Sequence, residues 1–338
     1  MAIKPDSNLP TIAVTGASGF VGHHMVRFLQ ACNYPVIAIT RSKKYYENSI
    51  DNVTVRQADI LNRSQVEAAI SGADVIVHNA GVIDPHGSKH QLINTNAYGT
   101  KLLLEIASQA NIKQFIHMSS LSVITGLSDC YNVDESKEPK KSGEAYGDSK
   151  ILAETFAKSF DNKNNMPVTI LRPGFIYGLH ENSWVTRLVN SLKNNQVMII
   201  GDGSKETNLI YVDNLCEATR LCILNPASYG ETFNLTDGFK VTKKELIDTF
   251  TRNLALQPVT KHVNPKLAFY VCSLVTAISP VLSKSAQKKL ARLSYPAYRL
   301  MGVNQGFSIE KAKNILGYKP IVSFDEGMQK TLEPYKSA

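Results

Sequence analysis

Tyr146-Gly-Asp-Ser-Lys150 places a phenol and an ammonium four residues apart, so on a helix they share one face. A free tyrosine has a pKa near 10 and is a poor base at neutral pH, but a neighbouring cation favours its ionised form. Ser119-Ser120-Leu121-Ser122 ends an apolar run. A hydroxyl there could hold a substrate oxygen while Tyr146 moves the proton. Neither cluster says much alone, because Y-x-x-x-K arises often by chance.

A second chemistry is written upstream. Thr11-Ile-Ala-Val-Thr15 runs into Gly16-Ala-Ser18-Gly19-Phe20-Val21-Gly22 and then a helical pattern. Glycines there allow a tight turn, close backbone approach to a pyrophosphate, and close helix–strand packing. The helix N-terminus then offers free N–H groups to the phosphates. The end of the second strand, Val36–Thr40 followed by Arg41, Ser42, Lys43 and Lys44, carries cations and no acid. An acid there grips a free ribose 2′-hydroxyl, whereas a 2′-phosphate calls for a cation. Arg41, with its fork of donors, therefore favours NADP(H) over NAD(H). Asp59 follows the third strand and either accepts from an adenine amino group or caps a turn.

These groups need a scaffold. β-branched runs alternate with helical patterns: 11–15, 20–31, 35–40, 64–70, 75–78, 99–109, 114–119, 145–161 and 168–172. Such alternation implies an α/β fold, a doubly wound parallel sheet with helices on both faces. After Gly178 the rhythm breaks, with helices over 185–194 and 214–224, a return strand at Leu209–Tyr211, and a mainly helical pattern from Val241. We expect a dinucleotide-binding Rossmann domain over 1–178, with a return segment about 205–235. A smaller, mainly helical substrate-binding domain takes 179–204 and 236–338.

Five scattered cysteines, never in a C-x-x-C pair, argue against a disulfide framework and a zinc site, so no metal is expected. Cysteine usage and an N-terminus without a secretory pattern point to the cytoplasm. The net charge of +8 is local: residues 249–309 hold eight Lys and Arg and no Asp or Glu. No nucleic-acid reading element accompanies them. An anionic membrane surface or an acidic ligand fits better. Within that stretch Leu267–Leu282 is sixteen uncharged residues, too short for a bilayer span and interrupted by Pro280. It reads either as a buried helix of the substrate domain or as an interfacial segment.

Taken together, the motifs resemble the extended short-chain dehydrogenases/reductases, the NAD-dependent epimerase/dehydratase superfamily, over nearly the whole chain. They are Thr15–Gly22, Asp59, His78-Asn79-Ala80-Gly81, Asn96–Thr100, Ser119-Ser120, Tyr146 with Lys150, Arg172–Gly178, Tyr211–Asn214 and Ser308–Gly317. The resemblance implies that Tyr146 is the general acid/base and that Lys150 binds the nicotinamide ribose and lowers the tyrosine's pKa. Ser120, three residues before Val123, takes the serine/threonine role, with Ser122 in reserve. The cofactor site it implies runs from Gly16, Ser18, Gly19, Phe20, Val21 and Gly22 through Arg41, Asp59 and Ile60. It continues through Asn79, Ala80, Gly81 and Asn96 to Pro173 and Gly174. His78 is expected to pack at the strand end, and a homodimer is implied.

Two departures bear on substrate. Nucleotide-sugar enzymes of this family show R-x-x-N-x-Y-G and an arginine four residues before the tyrosine of Y-V-D; here those positions are Phe175 and Thr207. The chain therefore looks nearest the 3β-hydroxysteroid dehydrogenase-like and dihydroflavonol reductase-like branch, oxidoreductases of secondary alcohols and ketones on small hydrophobic substrates. Peripheral membrane contact through 261–299 would suit such a substrate. The alternatives are a nucleotide-sugar epimerase/dehydratase that recycles its bound cofactor, and a non-catalytic dinucleotide-binding sensor.

Overall fold

The computed structural model describes residues 9–42, 51–83, 88–125, 128–161, 166–283, 285–286, 290, 293–294, 298 and 301–336. Lys43, Lys44, Lys284, Lys288, Lys289, Arg292 and Arg299 lie outside the described residues.

Seven parallel strands form the centre: β1 (Ile12–Thr15), β2 (Val36–Thr40), β3 (Val53–Gln57), β4 (Val75–His78), β5 (Gln114–Met118), β6 (Val168–Pro173) and β7 (Thr232–Leu235). Their spatial order is β7-β6-β5-β4-β1-β2-β3, all parallel, with the sequence progressing outward in one direction from β1 and in the other from β4. The strands that read as continuous apolar runs are buried on both faces, as a covered parallel sheet requires. On one face Ile12, Val14, Val36, Ala38, Val75 and Val77 pack with residues of α1 (Phe20–Ala31) and, later in the chain, Val212–Cys222. On the other, Ala13, Ile37, Ile39, Ile76 and Phe115 meet α2 (Arg63–Ile70), α3 (Gly99–Gln109) and α4 (Ala145–Asp161). Strand exits at Gly16, Arg41, Asn79, Ser119 and Gly174 consequently gather along one carboxyl edge, where ligands of such sheets bind.

The second half departs from expectation in two places. Leu209–Tyr211 does not return to the main sheet; it pairs parallel with the short strand Phe175–Tyr177. The strand that does return is β7, in register with β6 through Phe233 and Leu171. A four-residue run holding Asn234 gives little hydrophobic signal. Beyond it lie α5 (Trp184–Lys193), α6 (Val212–Cys222), α7 (Lys243–Asn253), α8 (Pro265–Ile278) and α9 (Phe324–Lys336). α5, α7 and α9 share a separate core with Tyr177, Leu209 and Tyr211.

The apolar stretch is the other departure. It forms α8, yet only Ala268 and Cys272 of that helix are buried, so the buried-helix reading is overturned. Phe269, Tyr270, Val271, Leu274 and Ile278 are all exposed. No helix among the described residues is long and apolar enough to cross a membrane.

Candidate active site

The glycine turn joins β1 to α1. Gly16 has φ +67°, and a Cβ there would sit 2.8 Å from the Cα of Ala80; a Cβ on Gly22 would collide with the carbonyl of Gly16. β1, the turn and the exit of β4 can therefore come this close only with glycine. Thr15 ties them together, its hydroxyl meeting His78 Nδ1 at 2.7 Å and accepting from the Ala80 N–H at 3.1 Å. His78 Nε2 reaches Thr100 at 2.9 Å. Burial, helped by the Lys150 charge, pushes the His78 pKa down to about 3, so it is a neutral brace between β1, β4 and α3.

The turn from Asn94 to Tyr98 ahead of α3 has π geometry, and it carries Asn96. Single π turns often mark functional positions. The Asn96 carboxamide accepts from Val82 N–H at 2.7 Å and donates to Val82 O and Ser149 Oγ, both at 3.0 Å. It thus clamps the Gly81 loop to α4. Gly81 itself faces this clamp: a Cβ there would lie 3.2 Å from Asn96 Oδ1 and 3.6 Å from Lys150 Nζ.

Tyr146 and Lys150 open α4. The phenol lies beside the Ser120 hydroxyl, which itself accepts from Ser122 N–H at 3.1 Å. Burial pushes the phenol's pKa up to about 12; the Ser120 hydroxyl pulls it down, and the Glu144 charge pushes it up. Lys150 Nζ donates to Met118 O at 2.7 Å. Burial holds the ammonium down to about 8, partly opposed by the Glu154 carboxylate. In the free chain the ammonium is held by a strand-end carbonyl, and Lys150 is not among the groups that shift the tyrosine.

One further turn along the same face sits Glu154, which sequence reasoning passed over. It receives Ser119 Oγ at 2.6 Å and a bidentate grip from Arg172, Nε at 2.9 Å and Nη2 at 2.6 Å. Arg172 thus braces β6 against α4. Ser120 and Gly174 are neighbours because Leu121 N–H donates to Pro173 O at 2.9 Å. Gly174 lies so close to the Asn208 carbonyl that a Cβ would collide with it, and Phe175 N–H donates to that carbonyl at 2.6 Å. Thr207 is buried beside Asn208, and the Phe175 ring packs against Trp184 at 6.3 Å.

Ser122 Oγ and Asn208 Oδ1 are buried without hydrogen-bond partners among the described residues. Asn208 gave no signal in sequence, since an asparagine before a strand is common. Asp59 is exposed and its carboxylate accepts from Leu61 N–H at 2.9 Å, the turn-capping role, while Ile60 packs under Gly99. Arg41 is exposed at the exit of β2.

The residues present fit a nicotinamide dinucleotide. Gly16 and Gly22 let the turn, the exit of β4 and the start of α1 pack against one another with no room for a Cβ, which brings the N-terminus of α1 up to the sheet edge, and both polar atoms of the Asn79 side chain are buried there with no partner among the described residues.

Comparison with known proteins agrees with this geometry. A 2-alkyl-3-oxoalkanoate reductase of Shewanella oneidensis is 25% identical, covering 94% of this chain and 84% of its own length. A decarboxylating sterol-4-alpha-carboxylate 3-dehydrogenase of Candida albicans is 28% identical over 96% and 97%. The structure of a UDP-glucose 4-epimerase from Thermotoga maritima superposes with a TM-score of 0.76 at 22% identity, covering 97% of this chain and 99% of that one, which speaks to the fold. The NAD dependent epimerase/dehydratase family matches residues 12–236, and with the Ser120, Tyr146 and Lys150 constellation in place the chain belongs to that family, as an NAD(P)-dependent short-chain dehydrogenase/reductase.

Proposed function

We propose that the chain moves a hydride between NADP(H) and a secondary alcohol or ketone on a largely apolar, sterol-like skeleton. What carries this is the placement of Tyr146 and Lys150 on one face of α4 with the Ser120 hydroxyl beside the phenol, at the carboxyl edge of the sheet and next to a site where Phe175 and Thr207 stand at the diphosphate anchor positions. The bound nicotinamide supplies or accepts the hydride. Tyr146, protonated in the free chain, donates to a carbonyl oxygen that Ser120 also holds, and takes the proton back from a carbinol in reverse. Lys150 leaves the Met118 carbonyl to hold the nicotinamide ribose, and Asn96 keeps the Gly81 loop in place. Ser122, with its unpaired buried hydroxyl, and Asn208 are the polar groups left for the substrate. The reductase and the sterol dehydrogenase named above suit this reading by the skeletons that their names describe. A homodimer in the cytoplasm, in peripheral contact with a membrane through 261–299, belongs to the same proposal.

The test is a panel of apolar ketones and alcohols with NADPH and NADH. Stoichiometric NADPH consumption with an apolar ketone is expected. Turnover of a UDP-sugar without net NADPH consumption would replace this reading with the epimerase one. Replacing Arg41 with Ala should raise KM for NADPH about tenfold, the scale of one charge-assisted bond to phosphate, and leave NADH unchanged.

A further inference from the structure

The outward side of α8 is a stripe. Leu267, Tyr270, Val271, Leu274 and Ile278 are spaced by three, one, three and four residues, which on a helix keeps them within about 100° of one another. They are 56%, 68%, 37%, 63% and 39% exposed, and Val281, just beyond the helix, is 86% exposed. The buried residues of the helix lie on a different and narrower line, Ala268 and Cys272. Apolar side chains of this size in an unbroken row are unusual on a water-facing surface.

The charge around the stripe selects its occupant. Arg252, Lys261 and Lys266 are exposed before and at the start of α8, and residues 249–309 contain no acid at all. A second copy of the same face would set two acid-free, basic segments against each other. A bilayer with anionic headgroups accepts both parts, the row in its acyl boundary and the cations at its phosphates. α8 has 14 residues and none of the described helices can span, so it lies in the surface plane.

We infer that α8 docks this protein onto an anionic lipid bilayer as an interfacial helix, with Leu267, Tyr270, Val271, Leu274 and Ile278 inserted and Lys261 and Lys266 on the headgroups. This rests on the proposed apolar substrate only for its benefit, since such a substrate is met at the bilayer; the contact itself is independent of the chemistry.

The experiment is co-sedimentation with phosphatidylcholine vesicles, with and without phosphatidylserine. The full chain is expected to pellet with the anionic vesicles, to lose about tenfold in affinity when salt rises from 0.1 M to 0.5 M, and to stay in the supernatant as Leu274→Glu. Lys261→Glu with Lys266→Glu should weaken binding to anionic vesicles and leave neutral ones unaffected. Each variant is checked for wild-type NADPH binding, which shows that it is folded, and for turnover of a water-soluble ketone, which reports the chemistry separately. Wild-type chain that ignores anionic vesicles, or Leu274→Glu that binds them as well as wild type, overturns the inference. So does sedimentation velocity in which Leu274→Glu turns a dimer into a monomer while vesicle binding persists, because the stripe is then a contact between two copies.

Discussion

Tyr146 and Lys150 are one helical turn apart, yet different neighbours govern their protons. Tyr146→Phe removes only the hydroxyl; turnover should fall about 10³-fold while NADPH affinity, read by fluorescence titration, stays within twofold. Lys150 gives a pH prediction. Burial lowers it from 10.5 to about 8, so the unfolded chain keeps a proton that the folded free chain loses in that window. From this group stability rises with pH between about 8 and 10.5, while a cofactor that needs the ammonium binds more weakly above about 8. NADPH affinity measured from pH 7 to 10 should bend near 8, and Lys150→Met should flatten the bend. A flat wild-type profile would separate Lys150 from cofactor binding. The i, i+4 pattern made both residues legible in sequence. Glu154 was not, because its meaning comes from Ser119 and Arg172, 35 and 18 residues away along the chain and adjacent only in the sheet.

Among the elements, the parallel strands were readable because each buries both faces and so shows an unbroken β-branched run. β7 was missed because Asn234 interrupts its short run although the strand is largely buried, and the placement of α8 stayed open between two readings because apolar residues look the same in sequence whether they face a core or the outside. The junction of β1 and α1 is where an element depends most on one residue. Gly22→Ala would push α1 off the turn, since the added carbon meets the Gly16 carbonyl and the Ala17 Cα. Overpacking of this kind costs about 2 kcal/mol, measurable by urea unfolding. NADPH binding should weaken more than tenfold in the same variant, because the helix N-terminus moves away from the phosphates.

At the scale of the whole molecule, order is distributed unevenly. β1, β4, β5 and β6 lie between two cores with nearly every side chain buried, whereas α8 buries only two small ones. Amide hydrogen exchange should therefore be slowest in the sheet and fast along α8. Equal protection in both would contradict the exposed placement of α8. Equally uneven is the distance over which buried polar groups find partners. Asn214, at the start of α6, is wholly buried; its carbonyl oxygen accepts from the N–H groups of Ile321 and Val322, and its amide donates to Asp237 and to Val322 O. Tyr318 likewise donates to Thr236 O. A chain emerging from the ribosome can assemble the strands from β1 to β6 early, but α6 keeps an unpaired carboxamide at its base until residue 322 is outside. The face of the sheet that α1 and α6 cover together is thus completed only once residues up to 322 have emerged, and a nascent chain stalled before residue 318 is expected to be protease-sensitive along α6.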